Sequence, residues 1–340
     1  ERMGIPGKLP QLYSCELVPG KFGKAIGPDT SLTRLDVIAR NGTKEVGFFE
    51  TWSPYQGYPY LGDVSKVKAV ADACHAKNMK FVLYFSQHVS DASPVWKGME
   101  WDFTQREPFT LTYRRSDIKQ NCYTSCGNGP FADLILDGIE KLVDQTGIDG
   151  VYMDGTTVPW WCSNPTHPGC GVSRGDGTYV AHRPIREVRT FMKRLRNIFI
   201  QRGKDVSMGA HTGGELHIGT LSFCDYYYEG ETLHSFKSGY HVPADVFVAG
   251  YMGKQFGVRG VMLYGVRTPY DKALSLSLVH DIAVQNQPSG VSKAWEDYQD
   301  DQTTYLPYWA ESPLYRVRPS DVLASVYLKK GKALIVFGCQ

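Results

Sequence analysis

The chain has 340 residues, which is long enough to bury a large core and allows one large domain or two ordinary ones. Hydrophobic residues make up 42% of it, charged residues make up 21%, and the formal net charge is only +2, as in ordinary globular proteins. No basic block interleaved with aromatic residues suggests a nucleic-acid partner, and no apolar run is long enough to span a bilayer. We therefore expect neither nucleic-acid binding nor membrane insertion.

Short β-rich runs alternate with amphipathic helical patterns, which is typical of a parallel α/β fold. Strands are predicted at 11–17, 46–52, 80–86, 150–155, 205–212, 223–231 and 260–265, with a weaker eighth near 287–296. Apolar residues spaced i, i+3, i+4 and i+7 predict helices at 63–77, 131–145 and 184–202, and further helices are expected at 243–256 and 270–285. This series favours a (β/α)8 TIM barrel, which typically takes about 250 residues. A doubly wound sheet is disfavoured because no glycine-rich phosphate loop follows the first strand.

The last residues differ from the rest of the chain. Two alternating strands around "KKGK" predict a β-hairpin within 319–340. We interpret this hairpin as the start of a C-terminal antiparallel β domain that follows a barrel covering 1–318.

Two connections in the barrel are unusually long: 87–129 follow the third strand, and 156–183 follow the fourth. We call them the first and the second long connection. Loops of this length in a compact domain usually serve as lids or binding loops. In a barrel both would lie at the carboxyl ends of the strands, where active sites of this fold occur.

Polar residues capable of chemistry lie at the ends of several predicted strands. They are Glu50, Trp52, Tyr84, Ser86, His88, Asp154, His211, Thr212, Glu229, Glu231 and Tyr264. For any single residue, a helix cap or a loop salt bridge explains its presence equally well. A packed barrel has no structural need for the whole set, since a buried acid is costly unless it is partnered. The set therefore indicates a functional site on the carboxyl-end face.

The same residues suit carbohydrate chemistry. Aromatic residues make up 13% of the chain and cluster in stretches such as "ETWSPYQGYPY" and "DYYYEGE", and flat rings pack well on the apolar faces of sugars. Glycoside hydrolysis needs two carboxyl groups, one as nucleophile or base and one as acid. We assign Asp154 as the nucleophile and Glu229 or Glu231, which share one strand phase, as the acid/base. The residues predicted to line the sugar pocket are Glu50, Trp52, Tyr84, His211, Tyr228 and Tyr264.

The stretch "GIDGVYMDG" (147–155) resembles the fourth-strand signature of retaining α-glycosidases with a (β/α)8 barrel, the broad group around the α-galactosidases and α-N-acetylgalactosaminidases. In that group an Asp at the end of strand four is the nucleophile, and the acid/base carboxylate comes from strand six. The resemblance implies these roles for Asp154 and for Glu229 (or Glu231), and it implies a hydrolase that cleaves an α-glycosidic bond with retention. The group typically carries a Lys two residues before its nucleophile, where this chain has Tyr152. A Glu as the acid/base is closer to the endo-α-N-acetylgalactosaminidase branch.

Eight cysteines are present, and all of them except Cys339 divide into two kinds. Cys15, Cys74 and Cys224 lie in predicted strands or on an apolar helix face, as buried free thiols do. The two long connections hold Cys122, Cys126, Cys162, His167 and Cys170. These residues permit disulfides, which would fit a secreted or periplasmic enzyme, a tetrahedral zinc site, or unpaired thiols.

Two other functions remain open at the level of sequence. One is an inverting or zinc-assisted glycosidase; the carboxylate mechanism needs no cofactor, whereas the zinc version would be sensitive to chelators. The other is a catalytically silent barrel that only binds glycans, in which Asp154 would be dispensable. In each case the expected partner is an oligosaccharide or another glycan.

Overall fold

The structure is a computed structural model that describes residues 12–16, 35–36, 39–40, 42–49, 52–106, 110–115, 118–212, 215–230, 247–248, 258–263, 270–285, 287–310 and 314–339. The strands are β1 Leu12–Glu16, β2 Glu45–Phe49, β3 Lys80–Ser86, β4 His88–Ser90, β5 Thr110–Arg115, β6 Ile118–Thr124, β7 Gly150–Asp154, β8 Val172–Ser173, β9 Tyr179–Val180, β10 Ser207–His211, β11 Tyr226–Glu229, β12 Arg259–Met262, β13 Ala283–Val284, β14 Thr304–Leu306, β15 Val322–Lys329 and β16 Lys332–Cys339. The helices are α1 Ser65–His75, α2 Glu100–Phe103, α3 Pro130–Thr146, α4 Ile185–Ile200, α5 Ile218–Leu221, α6 Tyr270–Val279 and α7 Ser289–Glu296. No helix in these ranges is long and apolar enough to cross a bilayer.

One eight-stranded sheet organises the described part of the chain. Its order is β1-β2-β3-β7-β10-β11-β12-β13, and all neighbours run parallel. The α/β fold with parallel strands is therefore confirmed. The sheet is strongly curled, because the Tyr226 hydroxyl of β11 donates a 2.6 Å hydrogen bond to Glu45 Oε1 of β2, although three strands lie between them.

The closed barrel that the sequence predicts is not reached in the described ranges. No backbone pairing joins β1 to β13 among these residues, so the sheet is curled but open along one seam. The strand at the seam, β13, contributes only the two residues Ala283 and Val284. So short a strand offers few backbone N–H and C=O groups for the hydrogen bonds that would close the barrel.

The predicted eighth strand at 287–296 is wrong. Helix α7 occupies this segment, and the eighth strand is β13, a few residues earlier. Val291, Ala294, Trp295 and Tyr298 follow the helical i, i+3, i+4, i+7 spacing, which the sequence analysis did not use here. Trp295 and Tyr298 are both buried by this packing.

The other elements lie within a few residues of their predicted positions, with two exceptions. The predicted helix at 270–285 ends at Val279, where α6 ends. The predicted helix at 243–256 lies outside the described residues except for 247–248.

The two faces of the sheet carry separate cores. On β3, Phe81, Leu83 and Phe85 pack with helices α1, α3 and α4, whereas Val82 and Tyr84 pack into a second cluster on the inner face of the curl. Side chains alternate between the faces of a strand, so both faces of β3 and its neighbours are covered. This double burial explains why these strands read as nearly continuous apolar runs.

Both long connections contain secondary structure of their own. The first holds α2 and the antiparallel sheet β4-β6-β5, and the second holds the two-stranded sheet β8-β9. Only Gln87 separates β3 from β4. The sheet β4-β6-β5 is therefore a direct continuation of a strand of the main sheet.

The predicted hairpin near the C-terminus is present as β15–β16, and β14 adds a third antiparallel strand. This sheet packs on the last turn of α6, where Ser325 Oγ donates to the Val279 carbonyl at 2.6 Å. Tyr327 enters the inner cluster of the main sheet. The boundary near 318 between two domains stays a prediction.

Gly150 allows β7 and β10 to approach closely. A Cβ at this position would lie 1.8 Å from the Ser207 carbonyl oxygen, whereas a Cβ at Gly47 in β2 would have no atom within 4 Å. We expect Gly150→Ala to lower the free energy of unfolding by about 2–3 kcal/mol, since backbone must move. Gly47→Ala should change it by less than about 0.5 kcal/mol. Urea denaturation measures both values, and equal losses would contradict the close approach.

Candidate functional site

Strand register brings polar side chains together at the carboxyl ends of the central strands. Asp154, the last residue of β7, is paired with Ser86 of β3 and with His211 of β10. His211 is paired in turn with Tyr228 of β11. Residues in register on parallel strands point to the same side of a sheet. The four side chains therefore lie on the inner face, and we call Ser86, Asp154 and His211 the inner row.

Asp154 is held by two donors and is partly open to solvent. The Tyr84 hydroxyl donates to Oδ2 at 2.6 Å, and His211 Nδ1 lies 3.0 Å from Oδ1. The side chain of Asp154 is 32% exposed, whereas that of His211 is 9% exposed. The row thus presents one accessible carboxylate with an ordered orientation.

The surroundings of Asp154 favour its ionised form. Burial alone would raise the pKa of Asp154, but the hydrogen bond and charge of His211, the Tyr84 hydroxyl and the charge of His88 together lower it below the ordinary value. A carboxylate that is ionised, oriented and accessible is what nucleophilic attack requires.

His88, one of the polar residues predicted at strand ends, is a second histidine close to Asp154, and it was assigned neither to catalysis nor to the sugar pocket. Its Nδ1 lies 3.1 Å from Ser86 Oγ, and its Nε2 is buried without a hydrogen-bond partner among the described residues. Burial lowers the pKa of His88, and the charge of Asp154 opposes this effect. The sequence signal was its position just past the end of β3, two residues after Ser86.

The tyrosines on the inner face pack beneath the row. Tyr84 stacks on Tyr152 at 5.8 Å between ring centroids, and Tyr152 makes an edge contact with Tyr228 at 5.3 Å. Tyr228 is only 2% exposed, so it is part of the core under the row and does not line an open pocket as predicted. Tyr152 fills the position two residues before Asp154 on the same face.

Trp52 lies beside Tyr84, in a pocket that reaches the row. Its Nε1 donates to the Tyr84 carbonyl at 2.5 Å, and its ring makes an edge contact with Phe85 at 5.1 Å. The pocket is lined by Trp52, Ser53, Tyr55, Gln56, Gly57, Tyr58, Tyr84, Phe85 and Ser86. Of the predicted sugar-binding residues, Tyr84 and His211 thus contact Asp154, and Trp52 lies beside Tyr84.

Glu229 lies on a different side of its strand. Tyr226 and Tyr228 belong to the cluster on the inner face of the sheet (the inner cluster), and Tyr227 belongs to the cluster between the sheet and the helices (the helix-side cluster). Because side chains alternate between the two faces of a strand, Glu229 lies on the same side of β11 as Tyr227. Its buried carboxylate accepts hydrogen bonds from Thr212 Oγ1 at 2.5 Å and from the Gly230 amide at 2.9 Å. The structure does not place Glu229 in the inner row. Glu50, Glu231 and Tyr264 lie outside the described residues.

A second group of reactive side chains lies where the two long connections meet. The donor atoms of Cys126, Cys162, His167 and Cys170 all lie within 4.8 Å of one another, and all four residues are buried. We call this group the Cys₃His cluster. Cys122 is not part of it, because it lies in β6 with its Sγ 4.0 Å from Gln120 Oε1. The cysteines whose side chains the structure describes are free thiols, so it shows no disulfide among them.

No family model matches the chain, and no curated protein matches its sequence. Solved structures share its fold. The GH36 α-galactosidase AgaA of Geobacillus stearothermophilus, in complex with 1-deoxygalactonojirimycin, aligns over 97% of this chain and 47% of its own, at 12% identity and a TM-score of 0.56. This chain therefore spans about half the length of that enzyme.

Two further structures are similar. The noncanonic maltogenic α-amylase AmyB of Thermotoga neapolitana aligns over 97% of this chain and 85% of its own, at 11% identity and a TM-score of 0.59. The α-galactosidase TtGalA of Thermus thermophilus, in complex with stachyose, aligns over 87% and 66%, at 13% identity and a TM-score of 0.54. At such identities the likeness shows that the chain has the fold of these glycoside hydrolases.

The lowered pKa of Asp154 depends first on His211 among its partners. We expect His211→Gln to raise the pKa of Asp154, because the favourable charge is lost. Carboxyl ¹³C titration of aspartate-labelled protein measures this shift, and His217→Gln, beside Glu215, is the control. In the native chain the ionised Asp154 stabilises the fold above its unfolded pKa of about 3.9, and this contribution is lost as the pH falls through the lower folded value. An unchanged Asp154 titration in His211→Gln would contradict the assigned cause.

Proposed function

We propose that the protein is a glycoside hydrolase that cleaves an α-glycosidic bond with retention of configuration, with Asp154 as the nucleophile. One observation carries the proposal: Asp154 ends a central parallel strand as an accessible carboxylate with a lowered pKa, oriented by Tyr84 and His211. Active sites of barrel-type folds lie at these strand ends. The expected substrate is an oligosaccharide or another glycan.

The contacts of Asp154 suit the covalent step of a retaining glycosidase. One carboxylate oxygen attacks the anomeric carbon while the bond to the leaving oxygen breaks, and the general acid gives that oxygen its proton. Water, deprotonated by the same acid/base group, then releases the sugar from the glycosyl-aspartate. Tyr84 and His211 each engage one oxygen of Asp154, so the carboxylate is held in one orientation before attack.

The fold comparison supports a carbohydrate substrate by analogy. AgaA variants have been crystallised with stachyose and with raffinose, and TtGalA with stachyose. The pocket beside Tyr84 adds support from this chain, because Trp52, Tyr55 and Tyr58 line it with aromatic side chains and Tyr84, which also lines it, donates a hydrogen bond to Asp154.

The general acid/base is proposed to be Glu229 or Glu231. Glu229 is fixed by Thr212 and Gly230 on the side of β11 that faces away from the inner row. Gly230 has φ +145°, a backbone conformation that mainly glycine adopts. The regular alternation of side chains between the two faces of β11 therefore ends at Gly230. The two glutamates therefore need separate tests.

Asp154→Asn should lower kcat on aryl α-glycosides by about 10⁴-fold or more, as loss of a nucleophile does in other enzymes. The substrates are a panel of p-nitrophenyl α-glycosides of different sugars, tested beside the β-anomers. Asp176→Asn, an exposed turn residue of the second long connection, is the matched control and should keep full activity. Thermal unfolding verifies that both variants fold. Full activity of Asp154→Asn would overturn the proposal.

Azide rescue assigns the acid/base. In Asp154→Ala, azide should replace the nucleophile and convert an α-glycoside to the β-glycosyl azide. In the alanine variant of the true acid/base, azide should attack the covalent intermediate and give the α-glycosyl azide. We expect one of Glu229→Ala and Glu231→Ala to behave in this way, and NMR of the products reads the anomer. An inverting enzyme would yield the α-azide from neither variant.

A further inference from the structure

We propose that Cys126, Cys162, His167 and Cys170 form a structural Zn²⁺ site that joins the two long connections. The first connection supplies Cys126, and the second supplies the other three residues. The proposal is independent of glycosidase activity, because it rests on the geometry of these four side chains alone.

Two distances between donor atoms match the edges of a tetrahedral zinc site. Zinc binds sulfur at about 2.3 Å and nitrogen at about 2.0–2.1 Å, so a tetrahedron has edges of about 3.8 Å between sulfurs and about 3.5 Å between sulfur and nitrogen. Cys126 Sγ lies 3.8 Å from Cys170 Sγ, and Cys162 Sγ lies 3.4 Å from His167 Nδ1. Three sulfurs and one imidazole are a common ligand set of structural zinc.

Hydrogen bonds with neighbouring groups hold the side chains of the cluster in positions suited to a metal ion. His167 Nε2 lies 2.8 Å from the Asp102 carbonyl oxygen, which requires the hydrogen on Nε2 and leaves the Nδ1 lone pair facing the sulfurs. The Asn128 amide N–H donates to Cys126 Sγ at 3.4 Å, and Asn128 Nδ2 donates to Cys170 Sγ at 3.7 Å. These hydrogen bonds hold the two sulfurs in place, as outer partners do around metal-ligating side chains.

The site is closed, which indicates a structural role. Four protein donors complete the tetrahedron, and all four residues are buried, so no position is left for water or substrate. A catalytic zinc keeps an open position, and the zinc-assisted hydrolysis considered from the sequence therefore finds no support in this cluster.

The position of the cluster indicates what the zinc would stabilise. The Asn164 side-chain amide donates to the carbonyls of Trp101 and Thr104, and Asn128 Nδ2 also donates to the Pro168 carbonyl. These bonds run between the two connections around the cluster. Gly155, directly after the nucleophile, accepts a 2.9 Å hydrogen bond from Trp160 Nε1, so the second connection is ordered from Asp154 onward.

The test is the zinc content of the full chain, purified without added metal, measured by inductively coupled plasma mass spectrometry. We expect about one zinc per chain in the native protein and in Cys122→Ser, whose sulfur lies outside the cluster. Cys162→Ser should retain less than about a tenth, and His167→Cys should keep zinc because it restores a ligand. Co²⁺ exchanged into the native protein should give the intense visible absorption of a tetrahedral sulfur site.

If Cys162→Ser does not fold, the native protein still decides the question. Zinc released by a thiol-blocking mercurial and measured with a colorimetric chelator should equal about one per chain, with a lower Tm afterwards. The proposal is overturned if the native chain holds no zinc both as purified and after dialysis against ZnCl₂. Peptide mass spectrometry showing a Cys126–Cys170 disulfide, or equal zinc loss in Cys122→Ser and Cys162→Ser, would overturn it as well.

Discussion

The in-register pairing of β3, β7 and β10 is the constraint on which the candidate site depends. It places Ser86, Asp154 and His211 side by side, and it continues past the strands, where the Gly155 amide donates to the His211 carbonyl at 3.0 Å. Because side chains alternate along a strand, a slip of one residue would turn Asp154 toward the helices and separate it from Tyr84. The apolar helix-side cluster opposes such a slip, since Val151 and Met153 would then face the inner side.

Two carboxyl groups of the inner face lie at opposite ends of its strands, and their pKa values are shifted in opposite directions. Burial raises the pKa of Glu45 at the amino end, although Ser207, Tyr226 and Lys80 oppose this effect. At the carboxyl end, His211 and its neighbours lower the pKa of Asp154. The Glu45–Tyr226 bond thus acts as a polar cross-link within the curl, whereas Asp154 lies at the end of the strands where active sites of barrel-type folds occur.

The central strands were predictable because burial on both faces produces long apolar runs, as in "KFVLYFS", which β3 matches residue for residue. The position of Asp154 at a strand end followed from the same pattern. The eighth strand was not predictable, because two residues carry no periodicity. In the sheet β4-β6-β5, the pairing of β4 with β6 joins segments far apart in the chain, and the local hairpin β5–β6 was missed although its strands are adjacent in sequence.

The side chains of the site were harder to predict than its backbone. The sequence could not distinguish Cys122 from Cys126 as a ligand. The fold of the first long connection places Cys126 in the Cys₃His cluster and Cys122 in β6, outside it. Likewise, the shared phase of Glu229 and Glu231 was visible in the sequence, but the side of the sheet to which Glu229 belongs depends on the packing of Tyr227.

The single residue between β3 and β4 bears on how a ligand reaches the site. The Gln87 amide donates to the Asp154 carbonyl at 3.1 Å, and the Gln87 carbonyl accepts the Ser125 amide at 2.8 Å. With no spare residues to act as a hinge, the sheet β4-β6-β5 cannot swing without breaking a bond to the backbone of Asp154 itself. This part of the first long connection is therefore tethered to the backbone of Asp154, and we expect it to stay in place while a ligand arrives and departs.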